Sequence, residues 1–296
     1  MLLALPYPTM SFLPFYVAED IGFFSRNGVA VHCVHVREAK EKKVRLALAG
    51  DLSFFTSVNT AVEALLRGWG DVKALCANTV TLNFCMVQPN IGDLQDLKGK
   101  TVMVGGGASN DQILYLCRKW GWEPGKDINI LRGTALDRVR AFRDPSISAI
   151  IAREEYTYWA LKAGFRLIRY PEDYMRWHGD GLCTSARFVQ EKPDLVYRTV
   201  RAVLQATNYT NRNRETAVAV AAKRIKDLSQ EEIEGNYEIV QSQGGYICDI
   251  TPDGIRYMSE VLALVKGSTK KIALSDVADL SFLEKARLEP QSEDLT

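Results

Sequence analysis

Residues 29–77 carry the pattern that decides the fold, VAVHCVHVREAKEKKVRLALAGDLSFFTSVNTAVEALLRGWGDVKALCA. Three short apolar runs within this stretch predict strands, at residues 29–36, 51–55 and 72–77. Two segments with apolar residues at helical spacing, each followed by a glycine, predict helices at residues 40–49 and 57–67. Helices that alternate with short strands predict a mainly parallel sheet with helices on both faces.

The same alternation extends to both sides of this stretch. Before it, residues 2–5 predict a buried strand, and Val17, Ile21 and Phe24 form one apolar stripe of a helix that continues to Asn27. After it, a second α/β unit has predicted strands at residues 101–104, 128–131, 148–152 and 165–168, and residues 181–185 predict a return strand. The C-terminal third predicts only helices, at residues 194–212, 215–226, 231–241 and 253–265. A chain of 296 residues suits two such lobes.

The composition fits a folded chain with a sizeable core, since 47% of the residues are hydrophobic and 25% are charged. The formal net charge of +1 gives no reason to expect binding to nucleic acid or to a charged membrane surface. No run of roughly 18 apolar residues occurs, so we expect no membrane insertion. The six cysteines form no CxxC pair and no zinc-site spacing, and we expect neither a metal nor a cofactor.

The N-terminus leaves the cellular location open. Met1 leads directly into a strand-like apolar piece, residues 2–5, which is too short for the core of a secretion signal and follows no basic segment. Either a leader was removed, which places the protein in the periplasm or another extracytoplasmic space, or the chain is cytoplasmic.

Five segments together point to a known family: FYVAEDIGFF at residues 15–24, LALAGDL at 46–52, DLQDLKGKTV at 93–102, LCTS at 182–185 and FVQEKPD at 188–194. They resemble, in order and spacing, elements of the solute-binding proteins of the sulfonate-binding and thiamine-pyrimidine-synthase superfamily. One departure is Ser53, which stands where the second element has an aspartate.

The resemblance implies a two-lobed α/β fold of the type II periplasmic-binding-protein class, with mainly parallel sheets flanked by helices. It also implies two crossover segments, which we place near residues 85–87 and 181–185. One lobe would then comprise residues 1–86 and 184–296, and the other residues 87–183.

Loops that follow predicted strands are the candidates for the binding cleft, because ligands of parallel sheets bind at the carboxyl ends of strands. The candidate ligand-binding residues are Tyr7, Thr9, Ser11, Phe54, Thr56, Ser57, Asn83, Gly106, Gly107, Ala108, Ser109, Asn110, Arg153, Glu154, Trp177 and Asp180. Backbone N–H groups at the helix starts near Ser57 and Gly107 suit an anion. Arg153 suits a carboxylate or sulfonate, and Trp177 suits a flat ligand. The same loops also fit simple capped turns.

The sequence offers little for catalysis. Enzymes similar to this family use a cysteine-rich iron-binding run or a nucleophilic cysteine in the first loop, and residues 6–11 contain no cysteine. Gly105 and Gly107 are spaced like the start of a dinucleotide motif, but Asn110 replaces its third glycine. A pair of Cys183 and His178 remains a candidate nucleophile, since a neighbouring histidine lowers the pKa of a thiol.

The resemblance implies a solute-binding protein of an ABC importer, which captures a small polar or anionic molecule by hinge closure. The class of ligands includes aromatic and heterocyclic molecules. We expect a monomer whose partners are the small-molecule ligand and a membrane permease. Two alternatives stay open. One is a cytoplasmic enzyme, a lyase or hydrolase that acts on a small carboxylate or sulfur compound. The other is a sensing module that docks on a receptor or kinase.

Overall fold

Two five-stranded sheets form the frame of the molecule in the computed structural model, which describes residues 1–79, 84–105, 107–153, 156–168 and 178–289. The strands are β1 (Leu2–Leu5), β2 (His32–His35), β3 (Phe54–Thr56), β4 (Val72–Ala77), β5 (Phe84–Val87), β6 (Thr101–Val104), β7 (Asn129–Arg132), β8 (Ile147–Ala152), β9 (Arg166–Ile168) and β10 (Gly181–Ser185). The first sheet has the order β2-β1-β3-β10-β4, and the second has the order β7-β6-β8-β5-β9.

Within each sheet four strands run in one direction and one strand runs against them. In the first sheet this strand is β10, which is antiparallel to β3 and β4. In the second sheet it is β5, which is antiparallel to β8 and β9. We call each sheet, with the helices packed on it, the first or second lobe. The predicted two-lobed, mainly parallel α/β fold is confirmed.

Helices connect and flank the strands. They are α1 (Leu13–Asp20), α2 (Phe23–Arg26), α3 (Lys40–Ala49), α4 (Val58–Arg67), α5 (Ala108–Trp120), α6 (Ala135–Ala141), α7 (Thr157–Lys162), α8 (Ala186–Glu191), α9 (Pro193–Arg212), α10 (Arg214–Arg224), α11 (Gln230–Ser242), α12 (Pro252–Lys266), α13 (Leu274–Val277) and α14 (Ser281–Leu288). Short 3-10 turns occupy Met10–Phe12 and Leu94–Leu97. In the part of the chain described, no helix is both long and apolar enough to span a membrane.

Alternating side chains of the first sheet supply two separate cores, because neighbouring residues of a strand point to opposite faces. Phe54 and Leu182 belong to the core that also contains residues of α1 and α9. Phe55 and Cys183, the next residues along the same strands, belong to the core that contains residues of α4 and α12. The first sheet is therefore covered on both faces, as its apolar strands predict.

Three helical regions differ from the sequence-based expectation. The helix predicted to run to Asn27 is interrupted, because Gly22 adopts a φ of 89° and separates α1 from α2. Residues with this left-handed backbone end a helix, and glycine adopts it without steric cost. The short helices α8, α13 and α14 were not predicted; α14 packs against α9 and adds Leu283 and Ala286 to the first lobe.

The chain passes from the first sheet to the second between β4 and β5, and returns between β9 and β10. The predicted lobe boundaries at residues 86/87 and 183/184 fall inside β5 and β10. Each of these strands pairs as a unit within one sheet, so we propose boundaries immediately before Phe84 and before Gly181.

Two pairs of helices join the lobes. Between α5 and α12, the rings of Tyr115 and Tyr257 meet edge to face with centroids 5.3 Å apart. Between α7 and α11, Trp159 Nε1 donates to Glu232 Oε1 at 2.6 Å. These contacts hold the carboxyl ends of the two sets of strands close to one another.

Candidate functional site

A cavity of about 340 Å³ lies between the lobes, within the usual size range of small-molecule sites. Residues at or directly after the ends of four strands line it. Tyr7 follows β1, Ser57 follows β3, Gly105 follows β6 and Arg153 follows β8. The two sheets therefore direct their carboxyl ends at one place, which is the expected position of a ligand in this type of fold.

Positive charge dominates the cavity wall. Lys40 and Lys43 extend from α3 of the first lobe, and Arg138 on α6 and Arg153 after β8 come from the second lobe. Among the lining residues that the structure describes, Asp180 is the sole carboxylate. The cavity is thus built for a negatively charged molecule, with cations contributed from both sides.

Arg153 joins the two lobes across the cavity. Its Nη2 donates to Ser11 Oγ of the first lobe at 2.9 Å and to Oδ2 of Asp180, which directly precedes β10 of the first sheet, at 2.7 Å. The guanidinium carbon also lies 5.4 Å from the centre of the Tyr7 ring, a favourable cation–π distance. The Asp180 side chain is 5% exposed, so this ion pair is shielded from solvent.

The two lysines of α3 differ in their surroundings. Lys40 Nζ donates to Glu63 Oε2 at 2.8 Å, so its charge is neutralised by a neighbouring carboxylate. Lys43 is only 5% exposed, and its ammonium makes no hydrogen bond with any residue in the described ranges. Burial lowers the pKa of Lys43, and Lys40 lowers it further, whereas Asp180 opposes the shift.

Two helices begin at the cavity and point their positive dipole ends toward it. Helix α5 starts after Gly107, which offers no capping side chain, so its first N–H groups are available to a ligand. Helix α4 starts after Ser57, whose Oγ accepts from Thr60 N at 3.2 Å. Ser57 has a φ of 104°, the only positive φ of a non-glycine residue in the described segments, and such strain of about 1–3 kcal/mol is typical of functional sites.

The Asn59 amide is a further polar group of the cavity wall. Asn59 is 3% exposed, and its Oδ1 atom is buried without a hydrogen-bond partner among the residues described. An unsatisfied buried amide oxygen is costly, so a ligand N–H or O–H at this position would be stabilised.

Gly105 gives Arg138 its place in the cavity. Arg138 Nη1 donates to Gly133 O at 2.9 Å, Nη2 donates to Tyr156 Oη at 2.9 Å, and the guanidinium lies 4.7 Å from the centre of the Tyr156 ring. A Cβ atom on Gly105 would lie 2.6 Å from Arg138 Nη1 and 3.4 Å from Ser109 Oγ. Only glycine at this position leaves room for the guanidinium.

We expect Gly105→Ala to weaken anion binding about 10-fold by displacing Arg138, with little loss of stability, because the displaced atoms end a flexible side chain. Calorimetric titration with a small sulfonate measures the affinity, and thermal unfolding measures the stability. Gly121→Ala, at the far end of α5, meets no atom within 4 Å and serves as the control, with reduced stability and unchanged affinity. Equal affinities of Gly105→Ala and the wild type would disprove this role of Gly105.

The structure brings six of the predicted site residues to the cavity wall, namely Tyr7, Ser57, Ala108, Ser109, Arg153 and Asp180. Ser11 supports Arg153 from behind, and Gly107 is the N-cap residue of α5. Asn83, Gly106, Glu154 and Trp177 lie outside the described residues.

The other predicted residues lie away from the cavity wall. Phe54 is fully buried, with its ring 5.5 Å from that of Phe188, and Thr56 donates to Ala4 O within the first sheet. Thr9 is buried and precedes the 3-10 turn, and Asn110 Oδ1 accepts from Arg132 Nε at 2.9 Å. Residues two apart on a strand point to the same face of the sheet, and Phe54 and Thr56 are both buried there, away from the cavity.

Five polar or charged residues of the cavity wall were not predicted from the sequence, and all of them lie on helices: Lys40, Lys43, Asn59, Thr60 and Arg138. Because charged residues on a helix usually face solvent, the two lysines and the arginine did not indicate a binding site in the sequence. The spacing of Lys40, Lys43 and Ala47 contained a signal, because positions i, i+3 and i+7 share one helix face and Ala47 is buried.

Cys183 and His178 do not form a catalytic pair. Cys183 is completely buried in the first sheet, and burial raises the pKa of its thiol well above the usual value. His178 Nε2 instead accepts from Thr251 N at 3.0 Å. A thiol held protonated is a poor nucleophile, which removes this candidate.

Comparison with known proteins gives matches over nearly the whole chain. A Bacillus subtilis (strain 168) protein named as an aliphatic sulfonates-binding protein is 24% identical over 291 residues, covering 95% of this chain and 87% of that protein. The periplasmic aliphatic sulphonate binding protein SsuA from Escherichia coli superposes with a TM-score of 0.76 at 15% identity, over 94% of this chain and 96% of that one. The desulfurization enzyme DSZB superposes with a TM-score of 0.64 at 13% identity, over 97% and 98% of the two chains.

A family model described as NMT1/THI5 like matches residues 9–217. The resemblance to sulfonate-binding and thiamine-pyrimidine-synthase proteins that the five segments predict is thereby confirmed. Because the matched residues make up more than half of the sequence, the chain belongs to the NMT1/THI5-like family.

Proposed function

We propose that this chain is the solute-binding component of an ABC importer and that its cleft captures a small organic anion. The observation that carries the proposal is the cavity between the lobes, with four cationic side chains and the starts of α4 and α5 around it. Sulfonates and carboxylates are the ligand classes that suit arginine and lysine side chains together with backbone N–H groups. The name of the Bacillus subtilis relative supports a sulfonate.

Closure of the lobes around the anion follows from the placement of its ligands. The lysines belong to the first lobe and the arginines to the second, so a bound anion attracts both lobes at once. Arg153 already bridges to Ser11 and Asp180 in this structure. We infer a hinge motion between an open form that admits the ligand and a closed form that retains it.

The proposal also includes a partner protein and a cellular location. The closed form would dock as a monomer on a membrane permease, in the periplasm or another extracytoplasmic space. It further holds that the chain binds its ligand without converting it. The described site residues support this, since Cys183 is buried and lies outside the cavity wall.

A binding experiment with matched anionic and neutral compounds tests the function. Propane-1-sulfonate and its neutral sulfonamide are titrated separately and followed by thermal unfolding. At 100-fold excess over Kd, a sulfonate that binds only the folded state raises Tm by about 4 °C for a chain of this length. The neutral sulfonamide should give no shift.

Two results would contradict the proposal. Equal binding of the sulfonamide would show that the cleft does not select an anion. A product signal in the NMR spectrum of the ligand after incubation would show an enzyme, and recovery of unchanged ligand is expected.

A further inference from the structure

Two of the four cations around the cavity are already paired with carboxylates. Arg153 Nη2 lies 2.7 Å from Asp180 Oδ2, and Lys40 Nζ lies 2.8 Å from Glu63 Oε2. In an ion pair of this kind, the carboxylate neutralises most of the charge of the cation. The remaining two cations are therefore the ones that an external anion would neutralise.

Lys43 is the unpaired cation of the first lobe. It is only 5% exposed, it lines the cavity, and no carboxylate of a described residue lies within 4.0 Å of its ammonium. A buried charge without a partner is costly, and such a residue in a cleft is a candidate for ligand binding.

Arg138 is the unpaired cation of the second lobe. Its two described partners, Gly133 O and Tyr156 Oη, are both uncharged. Its Nε atom is buried and has no hydrogen-bond partner among the residues that the structure covers. Gly105 and Ser109 lie beside the Arg138 guanidinium, near the start of α5. The start of this helix adds positive potential but no negative group.

We propose that the natural ligand carries two separate acidic groups, one bound by Lys43 of the first lobe and the other by Arg138 of the second lobe. This inference rests on the proposed function and narrows its substrate class to small dianions, such as a sulfonate that also bears a carboxylate. A cavity of about 340 Å³ accommodates such a molecule. Each acidic group neutralises one unpaired cation, so the dianion links the two lobes more strongly than a monoanion does.

Two compounds of equal chain length test the inference in the wild-type protein. We expect 3-sulfopropanoate to bind at least about 10-fold more tightly than propane-1-sulfonate in calorimetric titrations, because only the former engages both cations. Equal affinities would overturn the inference and leave the proposed function intact, since the monoanion would still bind. Failure of both compounds to bind would contradict the inference and the proposed function together.

Lys43→Met locates one of the two acidic groups. We expect the affinity for 3-sulfopropanoate to fall more than that for propane-1-sulfonate in this variant, so that the advantage of the dianion disappears. The ligand-free variant should unfold at a higher temperature than the wild type, because a buried unpaired charge is replaced by an apolar side chain. Retention of the dianion preference in Lys43→Met would overturn the assignment.

Matched controls come from the same helices. Lys42→Met removes an exposed lysine next to Lys43, and Arg140→Met removes an exposed arginine on the helix that carries Arg138. Both controls should keep the wild-type preference for the dianion, whereas Arg138→Met should lose it. Loss of the preference in a control would show that general surface charge, and not the two named cations, recognises the ligand.

Discussion

Arg153→Met will weaken anion binding about 100-fold and lower the free energy of unfolding by about 3 kcal/mol. The side chain contacts Ser11 Oγ, Asp180 Oδ2 and the face of Tyr7, so its removal breaks the link between the lobes at the cavity. It also leaves the Asp180 carboxylate, 5% exposed, without its charged partner. An unpaired buried carboxylate destabilises the fold and repels the incoming anion.

A second variant separates these two effects. In Arg153→Met combined with Asp180→Asn, no buried charge is left unpaired, so most of the lost stability should return. The affinity for a sulfonate should stay low, since the bridge from Arg153 to Ser11 and Asp180 across the cavity is still missing. Urea unfolding and calorimetric titration of the single and double variants measure the two quantities. A single variant as stable as the wild type would refute the structural role of this ion pair.

Gly181→Ala will be strongly destabilising, with a loss of about 4 kcal/mol or failure to fold. A Cβ atom at this position would lie 2.2 Å from the carbonyl oxygen of Cys76 and 2.7 Å from the Cα of Ala77. Both are backbone atoms of β4, which pairs with β10 here, so neither can move without breaking the first sheet.

Gly99→Ala provides the comparison for Gly181→Ala. Gly99 has a φ of 75°, and a methyl group added there would meet no atom within 4 Å, so the substitution costs only the left-handed backbone, about 1 kcal/mol. Urea unfolding curves of both variants give the difference. If Gly181→Ala loses no more stability than Gly99→Ala, the close approach of β10 to β4 does not limit this position.

The sequence predicted nine of the ten strands that the structure describes, because their apolar runs are bounded by glycine, proline and polar residues; β5 was not predicted, since its residues were interpreted as a crossover segment. The predicted strands at residues 72–77, 101–104 and 181–185 match β4, β6 and β10 residue for residue. Helix ends were harder to predict. Gly22 occupies a position where the apolar stripe of α1 continues into α2, and periodicity alone does not reveal the left-handed backbone that separates them.

The site was predictable where it depends on strand ends and was missed where it depends on helix orientation. Arg153 and Ser109 follow strands, so the rule for parallel sheets identified them. Lys43 and Arg138 reach the cavity only because α3 and α6 turn particular faces toward it. That orientation depends on how each helix packs on the sheet of its own lobe, which local sequence does not specify.

The position of β10 between β3 and β4 has a consequence for synthesis of the chain on the ribosome. All five strands of the second sheet are translated after β4 and before β10, a gap of roughly 100 residues that takes about 5–20 s at usual elongation rates. During this interval the facing edges of β3 and β4 have no partner, while the second lobe can already close its own sheet. The lobe that begins first is thus completed last, and its unpaired edges are where we expect a nascent-chain chaperone to bind.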